Sequence, residues 1–342
     1  MRKGIGIDFG SYMIRANASM GGNVLCEPAM VAVDRTTGEE VKFGNAAKRL
    51  ISESSGAFSP QYPFVEGVFA NAPLAERVLT WCHTQNFPMD GDVRALLSIP
   101  CGFTPEEESE FAEIVYRAGY RECYCVYSPI AALIGSGYSM EKSYIAVDIG
   151  CYTTDVVIIS EGELVNRFCI DKAGYAFTQA IASYIRRKNR LGVGYQMAED
   201  IKRKIGTVWV EGERRQMEIV GRASDNSMHR TVISSDEMFE ALEEPCAAVL
   251  EVVCEALSKI PTESVKEAFK NGIILSGGGA LLEGIDRMIY GVTGVKCHRV
   301  SNPEFAVVNG LEKILTKLPE QIHNGPNVSS IALKTNSYLD AK

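Results

Sequence analysis

The chain is poor in the residues that build metal centres. It has four histidines (His83, His229, His298 and His323), none paired at metal-ligand spacing, and its ten cysteines form no CxxC pair. A zinc site is therefore not expected. Scattered cysteines in apolar stretches fit reduced thiols in a cytosolic core. Positive charge is also short: Lys and Arg total 35 against 43 Asp and Glu, for a net charge of −8. That balance excludes nucleic acid as the main partner. The basic run Arg186-Arg187-Lys188, with Arg190 close by, reads as a solvated helix end. No apolar run approaches the ~20 residues of a membrane span. The opening MRKGIGIDFG enters a strand at once and leaves no room for a signal peptide. A soluble, cytoplasmic protein is expected, one that can still lie peripherally on a membrane.

What the chain does have is length and an internal repeat. Its 342 residues are too many for one small core and imply two lobes. Gly4 to Ile14 reads GIGIDFGSYMI, and Ile145 to Thr154 reads IAVDIGCYTT. Each is an apolar strand followed by Asp, one spacer, Gly, a small residue and Tyr. A repeat this distant indicates two related halves, not a short-period solenoid. The glycine after each Asp allows a tight turn whose N–H groups can face an anion. A third site, Gly272 to Leu282, reads GIILSGGGALL: an apolar strand, three glycines, then a helix-like segment. Free N–H groups at such a helix start suit a phosphate or a nucleotide edge.

Between these sites strands and helices alternate, which predicts an α/β fold. Ala95 to Ile99 reads as a strand. Thr104-Pro105-Glu106-Glu107 opens a helix with a capping box, and Phe111, Ile114, Val115 and Ala118 form its buried stripe before Gly119 ends it. Cys123 to Val126 is a second strand, with Cys123 and Cys125 pointing the same way. Ser234 to Glu237 repeats the capping-box pattern before a helix to about Lys259, which Pro245 should break or kink.

The three glycine sites, in this order, resemble the actin, sugar-kinase and heat-shock ATPase superfamily. Within it the chain is similar to the MreB family of bacterial actin-like proteins over almost its whole length. The segments EPAMVAVDRTTGEEVKFGNAAKRLI, EGVFAN, IPCGFTPEEESEF, SPIAALIGSG, DIGCYTTDVVIIS, MAEDIKRKIG and ILSGGGALLEGID carry the likeness in family order. The resemblance implies an actin-like two-lobed clamp of duplicated ribonuclease-H-like domains. The first lobe is expected at 1–145, with a small outer subdomain at about 32–72. The second is expected at 146–304, with a small outer subdomain at about 182–242. Residues 305–318 should return to the first lobe, and 319–342 should form a flexible tail.

The family implies ATP or ADP with magnesium between the lobes, and filaments formed with itself or another MreB-like protein. It also implies contact with the inner membrane face, wall-synthesis partners and a role in cell shape. Carried over residue by residue, Asp8, Gly10 and Ser11 match the first phosphate turn, and Gly150, Thr153 and Thr154 the second. Asp8 would reach magnesium through bound water, with Thr153 as the other candidate at the magnesium–phosphate centre. Glu199 and Lys202 match the adenosine-contacting helix, and Gly277, Gly278, Gly279 and Ala280 the last loop. In the loop QNFPMDG, Phe87 and Met89 are the candidates to dip into a membrane, and avidity along a filament would be needed for two side chains to hold there.

Departures from the family pattern gather at the chemistry. Tyr12 and Met13 replace small and amide side chains, and Cys151 and Tyr152 replace two glycines. Tyr127 and Ser128 stand where the family has two glutamates, one of which is thought to orient the attacking water. A serine lacks that charge and basicity. Tyr175 replaces an Asp, and Tyr195 a Glu. Three outcomes stay open: a pocket filled by aromatic packing, a pocket that binds nucleotide without turning it over, or hydrolysis with another group placing the water. The expected function is a filament-forming cytoskeletal protein with weak or absent ATP hydrolysis. The alternative is a non-polymerising scaffold. A small-molecule kinase ranks below both, because no acceptor-activating Asp is apparent.

Overall fold

The structure, a computed structural model, describes residues 4–19, 24–87, 92–211, 213–317 and 328–330. The chain divides into two compact units. One comprises Met1–Lys142, Ile159–Leu164 and Glu304–Lys342, the other Ser143–Ile158 and Val165–Pro303.

The first unit opens with strands β1 (Gly4–Phe9), β2 (Met13–Ala18) and β3 (Leu25–Pro28). A small excursion follows: β4 (Val31–Asp34), β5 (Glu40–Phe43), helix α1 (Gly44–Glu53) and β6 (Phe58–Gln61), with β5, β4 and β6 forming their own sheet. A short hairpin, β7 (Phe64–Val65) and β8 (Val68–Phe69), leads to α2 (Ala72–Trp81), where the Asn71 side chain caps the first turn. After a π-helical turn come β9 (Arg94–Ile99), α3 (Pro105–Arg117), β10 (Glu122–Tyr127) and α4 (Ser128–Gly135). Helix α3 starts where its sequence demands. Thr104 and Glu107 exchange the two hydrogen bonds of a capping box, Pro105 occupies the first turn, and Phe111, Ile114 and Val115 are buried. Phe9, Phe64, Phe69, Phe103 and Phe111 pack ring against ring in this unit's core.

The second unit contains β11 (Tyr144–Ile149), most of β12 (Thr154–Ser160) and β13 (Glu163–Ile170), α5 (Gly174–Asn189) and α6 (Tyr195–Ile205). The hairpin β14 (Gln216–Arg222) and β15 (Met228–Ser234) follows, then α7 (Ser235–Ser258), α8 (Thr262–Asn271), β16 (Ile273–Ser276), α9 (Ile285–Thr293) and β17 (Cys297–Arg299). Ser234 and Glu237 form the expected capping box. Pro245 does not break α7, which runs on for thirteen residues beyond it to Ser258. Buried apolar side chains on both sides of the proline, Met238, Leu242, Cys246, Val249 and Val253, hold the helix against the core and outweigh one missing amide bond. The chain re-enters the first unit through α10 (Ala306–Lys317) and a three-residue strand, β18 (Val328–Ser330). A flexible tail is expected at 319–342. Of that stretch the described part, Val328–Ser330, pairs with β10, and the rest lies outside the described residues.

The two main sheets share one topology. The first runs β3-β2-β1-β9-β10-β18, the second β13-β12-β11-β16-β17. In each, three consecutive strands form a meander, and the first of them takes a parallel neighbour, which takes another. The repeat seen in the sequence is thus a duplicated domain of the ribonuclease-H-like kind. The first and central strands are buried on both faces, as parallel neighbours with helices on either side require.

In the first unit α10 lies tightly on α4 because glycines face backbone. A Cβ on Gly310 would stand 1.8 Å from the Ala131 carbonyl oxygen, and one on Gly135 would stand 2.0 Å from that of Ala306. Asn17 on β2 adds hydrogen bonds to the Val308 carbonyl (3.1 Å) and Glu312 (3.2 Å). We predict that Gly310→Ala lowers stability by about 1–3 kcal/mol, the cost of overpacking a filled contact. Urea unfolding with an unchanged midpoint would contradict this.

Candidate functional site

In the first unit, Asp8 lies near the end of β1, and the turn 10–13 carries the chain into β2. Gly10 is required there, because a Cβ would meet the Met13 carbonyl oxygen at 2.7 Å. Asp8 accepts a hydrogen bond from Ser98 of the parallel neighbour β9 (2.8 Å), and Arg15 of β2 approaches its other oxygen at 3.9 Å. Burial raises the pKa of Asp8 above its ordinary value, and Arg15 and Ser98 only partly oppose this. Arg15 also faces Glu304 at 3.8 Å and lies over the Phe305 ring, yet its Nε is buried without a hydrogen-bond partner. Ser11 and Tyr12 in the turn are half-buried. Ser128 starts α4, and its hydroxyl donates to the Ile99 carbonyl (3.3 Å).

The second unit repeats the arrangement. Asp148, near the end of β11, accepts from Ser276 of the parallel neighbour β16 (2.6 Å). Asp148 and Ser276 are paired in the ladder, and in the first unit Ile7 pairs with Leu97, one step before Asp8 and Ser98. The turn 150–153 is closed by the Gly150 amide on the Thr153 carbonyl (2.9 Å). Thr153 donates its hydroxyl to Asp155 (2.8 Å). Thr154 is fully buried and donates to the Lys172 carbonyl (2.6 Å), so its side chain serves the fold.

Glu199 and Lys202 on α6 form a buried pair, 2.7 Å apart. Thr178 on α5 donates to Glu199 (2.7 Å), Arg203 donates to its other oxygen (2.9 Å), and Lys202 reaches the Gly174 carbonyl (2.8 Å). Burial works to raise the pKa of Glu199, but the Lys202 charge and the three donors together bring it below its ordinary value. Burial likewise lowers that of Lys202, against the attraction of Glu199. The Cys151 thiol, in the turn beside them, is pushed up to about 12 by burial.

The last glycine loop differs from expectation. After β16 comes a single 3-10 turn over Gly278–Leu281, and the next α-helix starts only at Ile285. The glycines make a close fit against β11, so the loop cannot relax into a longer helix. A Cβ on Gly277, whose φ is +80°, would stand 2.3 Å from the Ile149 carbonyl oxygen, and one on Gly279 would stand 2.2 Å from the Ile149 side chain. Gly278 is exposed, and Ala280 is fully buried.

Sequence reasoning marks the substituted tyrosines singly and misses that three of them form a column in the second unit. Tyr152 stacks on Tyr175 (centroids 4.6 Å apart), and Tyr175 on Tyr195 (5.7 Å). The column ties the second turn to the starts of α5 and α6. Beneath it the first amides of α5 are spent on the turn: Gly174 donates to the Gly150 carbonyl (3.2 Å) and Tyr175 to the Cys151 carbonyl (2.6 Å). No spacing rule on one strand or helix reveals this, because the three rings come from three elements. Of the membrane candidates, Phe87 is half-buried and packs against the first unit's core, and Met89 lies outside the described residues. No described helix is long and apolar enough to cross a membrane, and no group of three or more metal-ligating side chains occurs among the described residues.

A duplicated ribonuclease-H-like sheet with an Asp-Gly turn after each first strand defines the actin-like class of α/β proteins. The family model for the MreB/Mbl protein matches residues 2–323, and the chain belongs to the MreB/Mbl family. It is 32% identical over 316 residues to the cell shape-determining protein Mbl of Bacillus cereus, covering 90% of this chain and 93% of that one. It is 31% identical to the cell shape-determining protein MreB of Escherichia coli, covering 94% and 95%. The crystal structure of MreB5 of Spiroplasma citri bound to ADP superposes with a TM-score of 0.86 at 28% identity, over 93% of this chain and 98% of that one. The same protein is also known bound to AMPPNP.

The Glu199 network gives a stability prediction. With its folded pKa depressed, Glu199 contributes stability that is present above its unfolded value, near 4.5, and lost as pH falls through the lower folded value. Asp8 has the opposite sign: its raised pKa makes its ionisation cost stability as pH rises. Glu199→Gln should therefore destabilise at pH 7 by about 3 kcal/mol, leaving Lys202 buried without its partner charge. Asp8→Asn should be neutral or slightly stabilising at pH 7. Thermal melts at pH 7 and pH 4 check both, and equal losses for the two variants would contradict the assignment.

Proposed function

We propose that this chain binds ATP and ADP with magnesium, turns ATP over slowly, self-associates, and takes part in cell-shape determination. Family membership, the names of its relatives, and the nucleotides bound to the Spiroplasma protein support this reading. The observation that carries the nucleotide part is the state of Asp8. It is a half-buried carboxylate whose pKa is raised, beside a buried guanidinium nitrogen without a hydrogen-bond partner, a polar site that a cation and an anion would each relieve. The residues present therefore fit a magnesium–phosphate group. Asp8 would hold the metal through water, and Gly10 and Ser11 would face phosphate in the first unit. In the second, Gly150 and Thr153 would face phosphate, Glu199 and Lys202 the nucleoside, and the exposed Gly278 would offer backbone. Bound magnesium would supply charge to offset that of the phosphates.

Slow turnover follows from Ser128. A serine hydroxyl lacks the charge and basicity with which a carboxylate takes a proton from water, and that of Ser128 is directed to the Ile99 carbonyl. Attachment to the inner membrane face and contact with wall-synthesis proteins belong to the same proposal, with the cytoplasm as its setting. A second reading, a scaffold that does not cycle nucleotide, is favoured by the tyrosine column, which occupies the second turn with its own packing.

Calorimetry with Mg-ATP, followed by phosphate release on the same sample, separates the readings. Micromolar or tighter binding with release slower than about one per hour per chain is expected. Fast release would overturn the slow-turnover assignment, and no binding would leave the scaffold. Pelleting with and without nucleotide tests self-association, and a monomer at every concentration would sink it.

A further inference from the structure

A hairpin that lays one face on a core should turn a polar face to water, because side chains alternate along each strand. Strands β14 and β15 in the second unit obey the first half of that rule. Ile219 and Ile233 are buried, and Gly221 lies against Leu191. The opposite face breaks the second half. Directly paired residues share a face. Arg222 with Met228, Val220 with Arg230, and Glu218 with Val232 are pairs that point away from the core. Met228 is 60% exposed, Val232 is 55% exposed and Val220 is half-buried. Aliphatic and guanidinium side chains thus alternate across a face that water should have made polar.

The basic run at the end of α5 meets this face. Arg190 closes α5 in the left-handed conformation (φ 58°). Two residues on, Gly192 exchanges both backbone hydrogen bonds with Arg222 (2.8 and 2.9 Å). The exposed Arg186 and Arg187 lie in the last helical turn before Arg190. Opposing charge is sparse. Of the hairpin's two carboxylates, Glu218 is paired with Arg230 (2.8 Å), and Asp225 accepts from the Ser227 amide (3.0 Å). A cationic, aliphatic surface stands out in a chain whose net charge is −8. The paired residues of this face include none of the aromatic anchors that dominate protein interfaces. Guanidiniums among short aliphatic side chains suit an anionic headgroup layer instead: charge draws the surface down, and the apolar side chains enter shallowly. Phe87, the residue expected at a membrane, packs on the first unit's core.

We propose, resting on the membrane attachment put forward above, that the outward face of the β14–β15 hairpin, together with Arg190, is the surface that docks on an anionic phospholipid membrane. Arg190, Arg222 and Arg230 meet the phosphates, and Val220, Met228 and Val232 enter the headgroup layer. One copy offers a weak attachment, which repetition along an assembly multiplies.

The test is flotation of the full chain with vesicles of phosphatidylcholine containing about one third phosphatidylglycerol, at concentrations up to those at which the chain self-associates. The chain should bind these vesicles and leave pure phosphatidylcholine alone. Arg190→Glu with Arg222→Glu should weaken binding about tenfold or more, and Met228→Ser with Val232→Ser about threefold or more. All four side chains are exposed, so thermal melts should match that of the unaltered chain. Arg117→Glu with Arg121→Glu makes an equal charge change on exposed side chains of the first unit, and should leave binding as it was. Full binding by either hairpin variant, or an equal loss in the Arg117 and Arg121 variant, would overturn the assignment to the hairpin and leave membrane attachment standing. No binding by the unaltered chain at any concentration would overturn the attachment itself, and the assignment with it.

Discussion

A hydrogen bond between neighbouring parallel strands sets the frame of both units. Near the end of each first strand an aspartate accepts a hydrogen bond from a serine on the adjacent strand, Ser98 to Asp8 and Ser276 to Asp148. The bond satisfies a carboxylate that the sheet would otherwise bury alone, and it fixes where the strand stops. The turn that follows must then reverse within four residues, which is why Gly10 and Gly150 stand against the carbonyls of Met13 and Thr153. Everything offered to a ligand in these turns, whether backbone amide or hydroxyl, is positioned from that crossing point. Burial still pushes Asp8 toward its protonated form despite this bond and Arg15, a cost that a bound cation would remove.

Much of this was legible in the sequence, for local reasons. The two Asp-Gly turns share a pattern that spacing alone exposes. The capping boxes at Thr104 and Ser234 are read from four adjacent residues each. The stripe of α3 follows helical periodicity. The failures are failures of local reasoning. The proline rule allows a break or a kink at Pro245, and the break does not occur because the core on either side holds α7 together. The segment after Gly277 reads as a helix start, but contact with Ile149 goes with a single 3-10 turn there. Thr154 matches the second phosphate turn by position, and sequence spacing does not reveal that its hydroxyl goes to Lys172, a partner eighteen residues away.

The candidate site was legible in part, and the least so where elements meet. Glu199 and Lys202 were singled out from their place in the chain, yet their partnership with Thr178 and Gly174 depends on how α5 lies against α6. The tyrosines were marked as departures one at a time. Their union into a column needs three backbone segments in register, which no single stretch of sequence encodes.

That column changes what kind of force shapes the second turn. Where the family pattern places an Asp and a Glu, this chain has the rings of Tyr175 and Tyr195, with Tyr152 stacked on the first. Carboxylates would organise the turn through long-range attraction, which dissolved salt weakens. Stacked rings act by contact, which charge screening leaves in place. The turn is thus braced mechanically, like masonry set before its keystone arrives.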